Sequence, residues 1–197
     1  MKQAVTRELF DYWNALRGSR IAPMRDDINP GAIRGRLADI FLLALNTESG
    51  HAFRLAGSSV CALFGKELKG GSFNDLWSSV SHGRLDALLH HIAEDKIGAV
   101  AHVIGRTLEN EVLDLEMVLL PLLDGNGSTS HLVGGFAPVG APYWIGSRAV
   151  EAIDLEDLRY IGPAIDPARP PRLLSGRNNP LRGAGLVVYP AQNRQAV

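Results

Sequence analysis

The chain has a single cysteine, Cys61, among 197 residues, so it can form no intramolecular disulfide and no Cys-x-x-Cys metal knuckle. Neither sign of charge dominates: 20 Lys and Arg stand against 21 Asp and Glu, a net charge of −1 with neutral histidines. That leaves no basic footprint for nucleic acid or for an anionic membrane surface. Long hydrophobic runs are missing too. The longest, IFLLAL from Ile40 and MVLLPLL from Met117, fall far short of the ~20 residues that cross a bilayer. The opening MKQAVTRELFDYW is interrupted by Arg7, Glu8 and Asp11, unlike the apolar centre of a signal peptide. These absences point to a soluble, cytoplasmic protein without membrane insertion. Signatures of catalysis are equally scarce: there is no G-x-S-x-G elbow, no H-E-x-x-H, no P-loop and no EF-hand spacing. The chain is therefore not expected to be an enzyme.

What is present suffices for a packed domain. A content of 46% hydrophobic and 21% charged residues is that of an ordinary globular protein, and the length fits one domain with an appendage. Val5, Leu9, Tyr12/Trp13 and Leu16 recur at helical spacing, which predicts a helix over Thr6–Arg17 that stops at Gly18. Asn29-Pro30-Gly31 reads as an N-cap followed by proline at the first helical position, opening a short turn through Arg36. The β-rich runs DIFLLALN and HAFRLAG, separated by TESG, predict a hairpin; alternation puts His51, Phe53 and Leu55 on one face of its second strand. A short helix from Ser58 or Ser59 through Phe64 follows, then a longer one over Ser79–Lys96 with Leu85, Leu88, Leu89 and Ile92 as its buried stripe.

Three further strands are expected in AVAHVIGRTL, VLDLEMVLLPLL and HLVGGFAPV. Short connections demand antiparallel pairing, giving an α+β domain: a five-stranded antiparallel sheet with helices on one face and an N-terminal capping helix. The expected divisions are an N-terminal helix and extended clamp (1–37), a core (38–140), a C-terminal helical extension carrying RAVEAIDLEDLRYIG (141–162), and a tail rich in Pro, Gly and Arg (163–197) read as disordered.

Several strings in this arrangement, YWNALRG with PMRDDINP after it, FRLAGSSVCALFGKELKG, and FNDLW, resemble the small stand-alone PAS proteins found mainly in alphaproteobacteria, a family long catalogued as a domain of unknown function. The resemblance spans Phe10 to Val139 and leaves the tail outside. It implies the PAS fold and a place in signal transduction, and it supplies no ligand. It also implies partners: another signalling protein, since no kinase, cyclase or DNA-binding segment is attached, and a second copy, since PAS lead-in helices often make dimer contacts.

If the alternations face inward, a groove between sheet and helices is walled by Phe53, Leu55, Phe64, Phe73, Trp77, Leu88, Leu115 and Met117. Some PAS sensors hang haem from a histidine on the equivalent helix; His82, taken as the histidine nearest the core, is the candidate for that alternative. Around Cys61 the string SSVCALFG lacks the polar residues that surround the cysteine of flavin-binding light sensors, so Cys61 reads as a small buried hydrophobe. Arg54 pairs either with an acid such as Asp114 or Glu116 or with an anionic ligand. Asp114 and Glu116 are also the candidate bases of a small enzyme, although alternation turns both away from the Leu113/Leu115/Met117 side.

Two main readings remain: a sensor whose contacts depend on a ligand or state, and a constitutive adaptor with a filled core. An interior cavity of roughly 300 Å³ or more marks the sensor. In the lead-in, Tyr12, Trp13 and Leu16 are candidates for both the clamp and a dimer interface, while Arg25, Asp26 and Asp27 set the path of the chain. Truncating a buried aromatic costs ~3–5 kcal/mol, against ~0–1 kcal/mol for a surface ion pair. Trp13→Ala should therefore lower the melting temperature by several degrees and Asp26→Ala hardly at all; equal losses in parallel thermal melts would overturn this division.

Overall fold

The computed structural model describes residues 1–46, 48 and 50–162; the expected disordered tail lies outside them. Helix α1 (Ala4–Arg17) leads into a strap of two 3-10 segments, Arg25–Asp27 and Pro30–Asp39. Strands β1 (Ile40–Ala44) and β2 (Phe53–Ala56), helix α2 (Ser58–Leu63), a 3-10 turn (Asn74–Leu76) and helix α3 (His82–Asp95) follow. Strands β3 (Gly98–Arg106), β4 (Val112–Leu123), β5 (Thr129–Pro138) and β6 (Ala152–Ile161) complete the fold. The strands form one sheet in the order β2-β1-β5-β4-β3-β6, antiparallel at every step.

The sheet has six strands rather than five, because the segment expected to be a C-terminal helix is β6, paired with β3 from Ala152↔Arg106 to Ile161↔Gly98. A β-bulge explains the misreading. His102 faces Asp157 and Val103 faces Leu155, so Glu156 is an extra residue. The buried positions thus fall at Ile153, Leu155, Leu158 and Tyr160, and the three-residue step in their middle imitates helical spacing. Helix α3 holds the bulge: Arg84 donates to the carbonyls of Leu155 and Glu156, and the Leu155 amide donates to Ser81 Oγ at 3.0 Å.

A second bulge corrects the placement of Leu55. Leu42 faces Leu55 while Leu43 faces Phe53, which leaves Arg54 over and turns Leu55 onto the sheet face opposite Phe53. Phe53 is 1% exposed and Leu55 is 42% exposed.

Both faces of the sheet are covered. From Glu116 to Leu123 every residue of β4 is buried, so alternate side chains need partners on opposite sides. Leu115, Met117, Leu119, Phe53 and Phe136 face the side of α2 and α3. Val118, Leu120, Leu122 and Val133 pack on the other side with Leu9 and Trp13 of α1.

Polar anchors fix α1 there. Trp13 Nε1 donates to the Pro121 carbonyl at 2.8 Å. Pro121 lies past the last β3–β4 pair, Ala99–Leu119, where a missing amide costs no ladder bond on that side. Glu116 accepts from the amides of Lys2 (2.8 Å) and Gln3 (3.0 Å) and from the Thr6 hydroxyl, meeting the orphan donors of the helix start with a negative charge. The strap is tied by side chains: Asn29 Oδ1 accepts from the Gly31 amide at 2.9 Å, and the Tyr12 hydroxyl accepts from the Asn29 amide at 2.7 Å. Asp27 pairs with Arg20 at 2.6 Å, and Arg36 meets Glu8 through two contacts of 2.7 Å.

Glu116 is 8% exposed. Burial by itself raises its pKa, but the Thr6 hydroxyl and the Gln3 and Lys2 amides outweigh that, and the net is a lowered value. A depressed carboxyl contributes stability that is complete above its unfolded pKa and is lost as pH falls through the folded one. Glu116→Gln should cost about 1.5–3 kcal/mol at neutral pH, a difference that shrinks below the ordinary value of 4.5. Denaturant melts at neutral and acid pH check this, and a pH-independent difference would overturn it.

Candidate functional site

Seven of the nine expected groove residues come together between the sheet and the helices: Phe53, Phe64, Phe73, Trp77, Leu88, Leu115 and Met117 are all buried in one cluster. Their rings pack directly against one another and against Phe41 and Phe136. Ring centroids lie 5.6 Å apart for Phe41–Phe53, 5.7 Å for Phe53–Phe73 and for Phe41–Phe73, and 5.7 Å for Phe73–Trp77. Phe136 closes the set at 5.2 Å from Phe41 and 5.6 Å from Phe64. These are edge-on and tilted contacts within the range where aromatic pairs attract.

Phe41 and Phe136 were missed as site residues. The signal for them was a glycine pair in a strand, which marks close approach. A Cβ at Gly134 would stand 2.5 Å from Cζ of Phe41, so the absence of a side chain on β5 makes room for the central ring.

Leu55 lies on the other face of the sheet, as described. His82 is exposed rather than nearest the core. It is the first residue of α3, at a turn that packs on β6 through Ser81 and Arg84, and its Nε2 donates to the Trp77 carbonyl at 3.1 Å. On this helix the buried histidine is His91, whose ring sits 5.7 Å from Tyr160 and whose Nδ1 is 3.4 Å from Asp95. Burial, with Asp95 adding to it, pushes the Tyr160 hydroxyl up to about 12, so it stays protonated. Cys61 is half-buried rather than buried; Val60 takes the inward position, and Cys61 Sγ lies 3.6 Å from Glu67.

On the outer face a cavity of about 320 Å³ is bordered by the polar residues Lys2, His102, Glu116, Asp157 and Arg159 and by Val100, Ala101, Val139 and Leu158. Asp114 is engaged with His102 Nε2 at 2.7 Å and Glu116 with α1. Neither pairs with Arg54, since β4 is separated from β2 by two strands. A general base at neutral pH needs a raised carboxyl pKa, and that of Glu116 is lowered. Among the described residues no group of three or more His, Cys, Asp and Glu can hold a metal ion, and no helix is long and apolar enough to cross a membrane.

The interface candidates divide in the same way. Trp13 is fully buried against the sheet, so its surface is unavailable to a partner, whereas Tyr12 and Leu16 are half-buried at the edge of α1.

An antiparallel sheet with a hairpin first, helices next and three sequential strands after them defines a PAS-type α+β domain. The chain belongs to the PAS domain family, whose model matches residues 1–137. Solved structures similar to it include a light-oxygen-voltage domain studied with a flavin analogue, at 12% identity and a TM-score of 0.46 over 57% of this chain and 85% of that one. The light-oxygen-voltage protein of Rhodobacter sphaeroides aligns at 12% identity and 0.44 over 54% of this chain and 61% of that one. A PAS domain from Colwellia psychrerythraea aligns at 10% identity and 0.43 over 56% and 98%. No curated protein matches the chain.

The ring cluster generates its own test. Phe73→Ala should cost ~3–5 kcal/mol and open an apolar cavity of the kind that stays dry and takes benzene. Benzene should then raise the melting temperature of the variant and leave that of the parent unchanged; an equal rise in the parent would show an interior with room to spare.

Proposed function

We propose that the protein is a non-catalytic PAS signalling module whose interior is occupied by its own rings and whose output passes through surface contacts with a second signalling protein. The mutually packed set Phe41, Phe53, Phe64, Phe73, Phe136 and Trp77 carries this reading, because it fills the place where a ligand-dependent version needs a cavity. Of the readings the sequence left open, the adaptor is the one this packing favours.

A surface suited to contacts supports it. Leu108 is 79% exposed and Tyr143 is 89% exposed. Both belong to connections at one end of the sheet, the β3–β4 turn and the segment after β5, which Arg148 ties together by meeting Glu111 at 2.5 Å. Exposed apolar side chains gathered in this way mark interaction surfaces. The homodimer expected from the resemblance is retained as part of the proposal, with Tyr12 and Leu16 rather than Trp13 at its edge.

A photo-crosslinking residue in place of Tyr143 tests the reading in cells. The expected result is one discrete adduct with a protein carrying a phosphotransfer, cyclase or DNA-binding domain, lost when Leu108→Glu is added. No adduct, or an equal adduct from a probe at Lys69, would overturn it. So would a visible absorbance band in the purified protein, the mark of an interior chromophore.

A further inference from the structure

We infer that the outer face of the sheet, beside the strap, carries a binding groove for a medium-length aliphatic carboxylate. The inference is independent of the output surface proposed above.

The groove exists because of the bulge at Arg54. By turning Leu55 outward, the bulge sets it across from Leu42 on the face away from the ring cluster. Those two side chains and Val133 form the floor, while Ile28, Ile33 and Leu37 of the strap form the wall of an apolar cavity of about 270 Å³. At roughly 30 Å³ for each water-sized group, that volume takes an acyl chain of about nine or ten carbons.

The charge beside the cavity selects an anion. Arg25 borders the cavity, Arg54 adjoins Leu55 in sequence, and His131 stands two residues before Val133 on the same strand face. Burial first, then Arg25 and Arg54, hold the His131 pKa below its ordinary value, with Asp26 offsetting this in part; both guanidinium charges therefore bear on one place. Among the described residues the Arg25 side chain pairs with Asp26 alone, whose side chain is 91% exposed, at 3.1 Å, and a pair so open to water binds weakly. The Arg54 side chain has no hydrogen bond or ion pair among the described residues. A guanidinium beside an apolar trough matches a carboxylate on an aliphatic chain.

Other occupants fit the charge less well. An uncharged apolar side chain of a partner leaves Arg54 without a counter-charge and Arg25 with only its solvent-exposed Asp26. The apolar stretch LVVYP of the chain's own tail belongs to a segment, 163–197, with five arginines and one aspartate, the wrong sign for this rim.

The test is a nitrogen-15 NMR titration of the full chain with straight-chain carboxylates from hexanoate to dodecanoate. Expected are saturable shifts at Leu42, Leu55, His131 and Val133, with affinity rising about fourfold per added methylene and levelling off near decanoate. Decanol should bind several-fold more weakly than decanoate, and Arg54→Gln should abolish that preference. Leu55→Asp, at an exposed position, should remove binding while the melting temperature holds. Shifts confined to the ring cluster, unsaturable shifts across the whole surface, or a groove closed to decanoate by another part of the chain or a second copy would each overturn the inference.

Discussion

A central strand buried on both faces is the constraint from which the rest follows. Once Glu116–Leu123 of β4 is apolar in both directions apart from its first residue, one layer of helices cannot finish the domain. Helix α1 has to come back over the sheet and the strap has to carry the chain from that layer to β1. This explains the aromatic and charged residues ahead of the first strand. Trp13 supplies the apolar area and a bond to Pro121, and the ion pairs Arg20–Asp27 and Arg36–Glu8 tie the strap in place. Glu116 is the hinge of this logic: a carboxylate survives beneath a helix because the helix start brings its own unsatisfied donors to it.

The interior follows a different principle. On the α2/α3 side, six rings occupy the space under the helices, and Gly134 removes the one Cβ that would displace the middle ring. Tyr160 and His91 extend the packing toward β6. A centre of this kind is stiff, since tightly packed rings have little free volume into which to move. The adjustable parts of the domain are then its outer face, its connections and the edge strand, where charges and half-exposed apolar residues remain.

The broad architecture was legible in the sequence because it rests on period. The helix ending at Gly18, the stripe of α3 and the strands β3 to β5 show their repeats, the hairpin is marked by its turn between two β-rich runs, and the orientation of Glu116 away from the interior followed from alternation alone. Two of the misreadings share one cause. A bulge adds a residue without any signal in composition, so the repeat flips at Arg54 and again at Glu156. The first moved Leu55 across the sheet, and the second made β6 look helical. His82 failed for another reason: an angular position on a helix says nothing about where the helix ends relative to the core. Phe41 was concealed inside a run that is apolar throughout, where periodicity carries no information.

The chain at Lys2 and at Gly162 comes to one corner. Lys2 and Arg159 border the same cavity, and Gly162 is three residues further on, within about 10 Å of chain at ~3.3 Å per residue. A domain whose ends meet is interchangeable with a surface loop: it can be set into another protein, or its order of reading changed, at little conformational cost. The same geometry makes the corner a junction. Whatever is attached before α1 and whatever is attached after β6 would be held side by side, one resting on the helix that covers the sheet and the other on the strand that ends it.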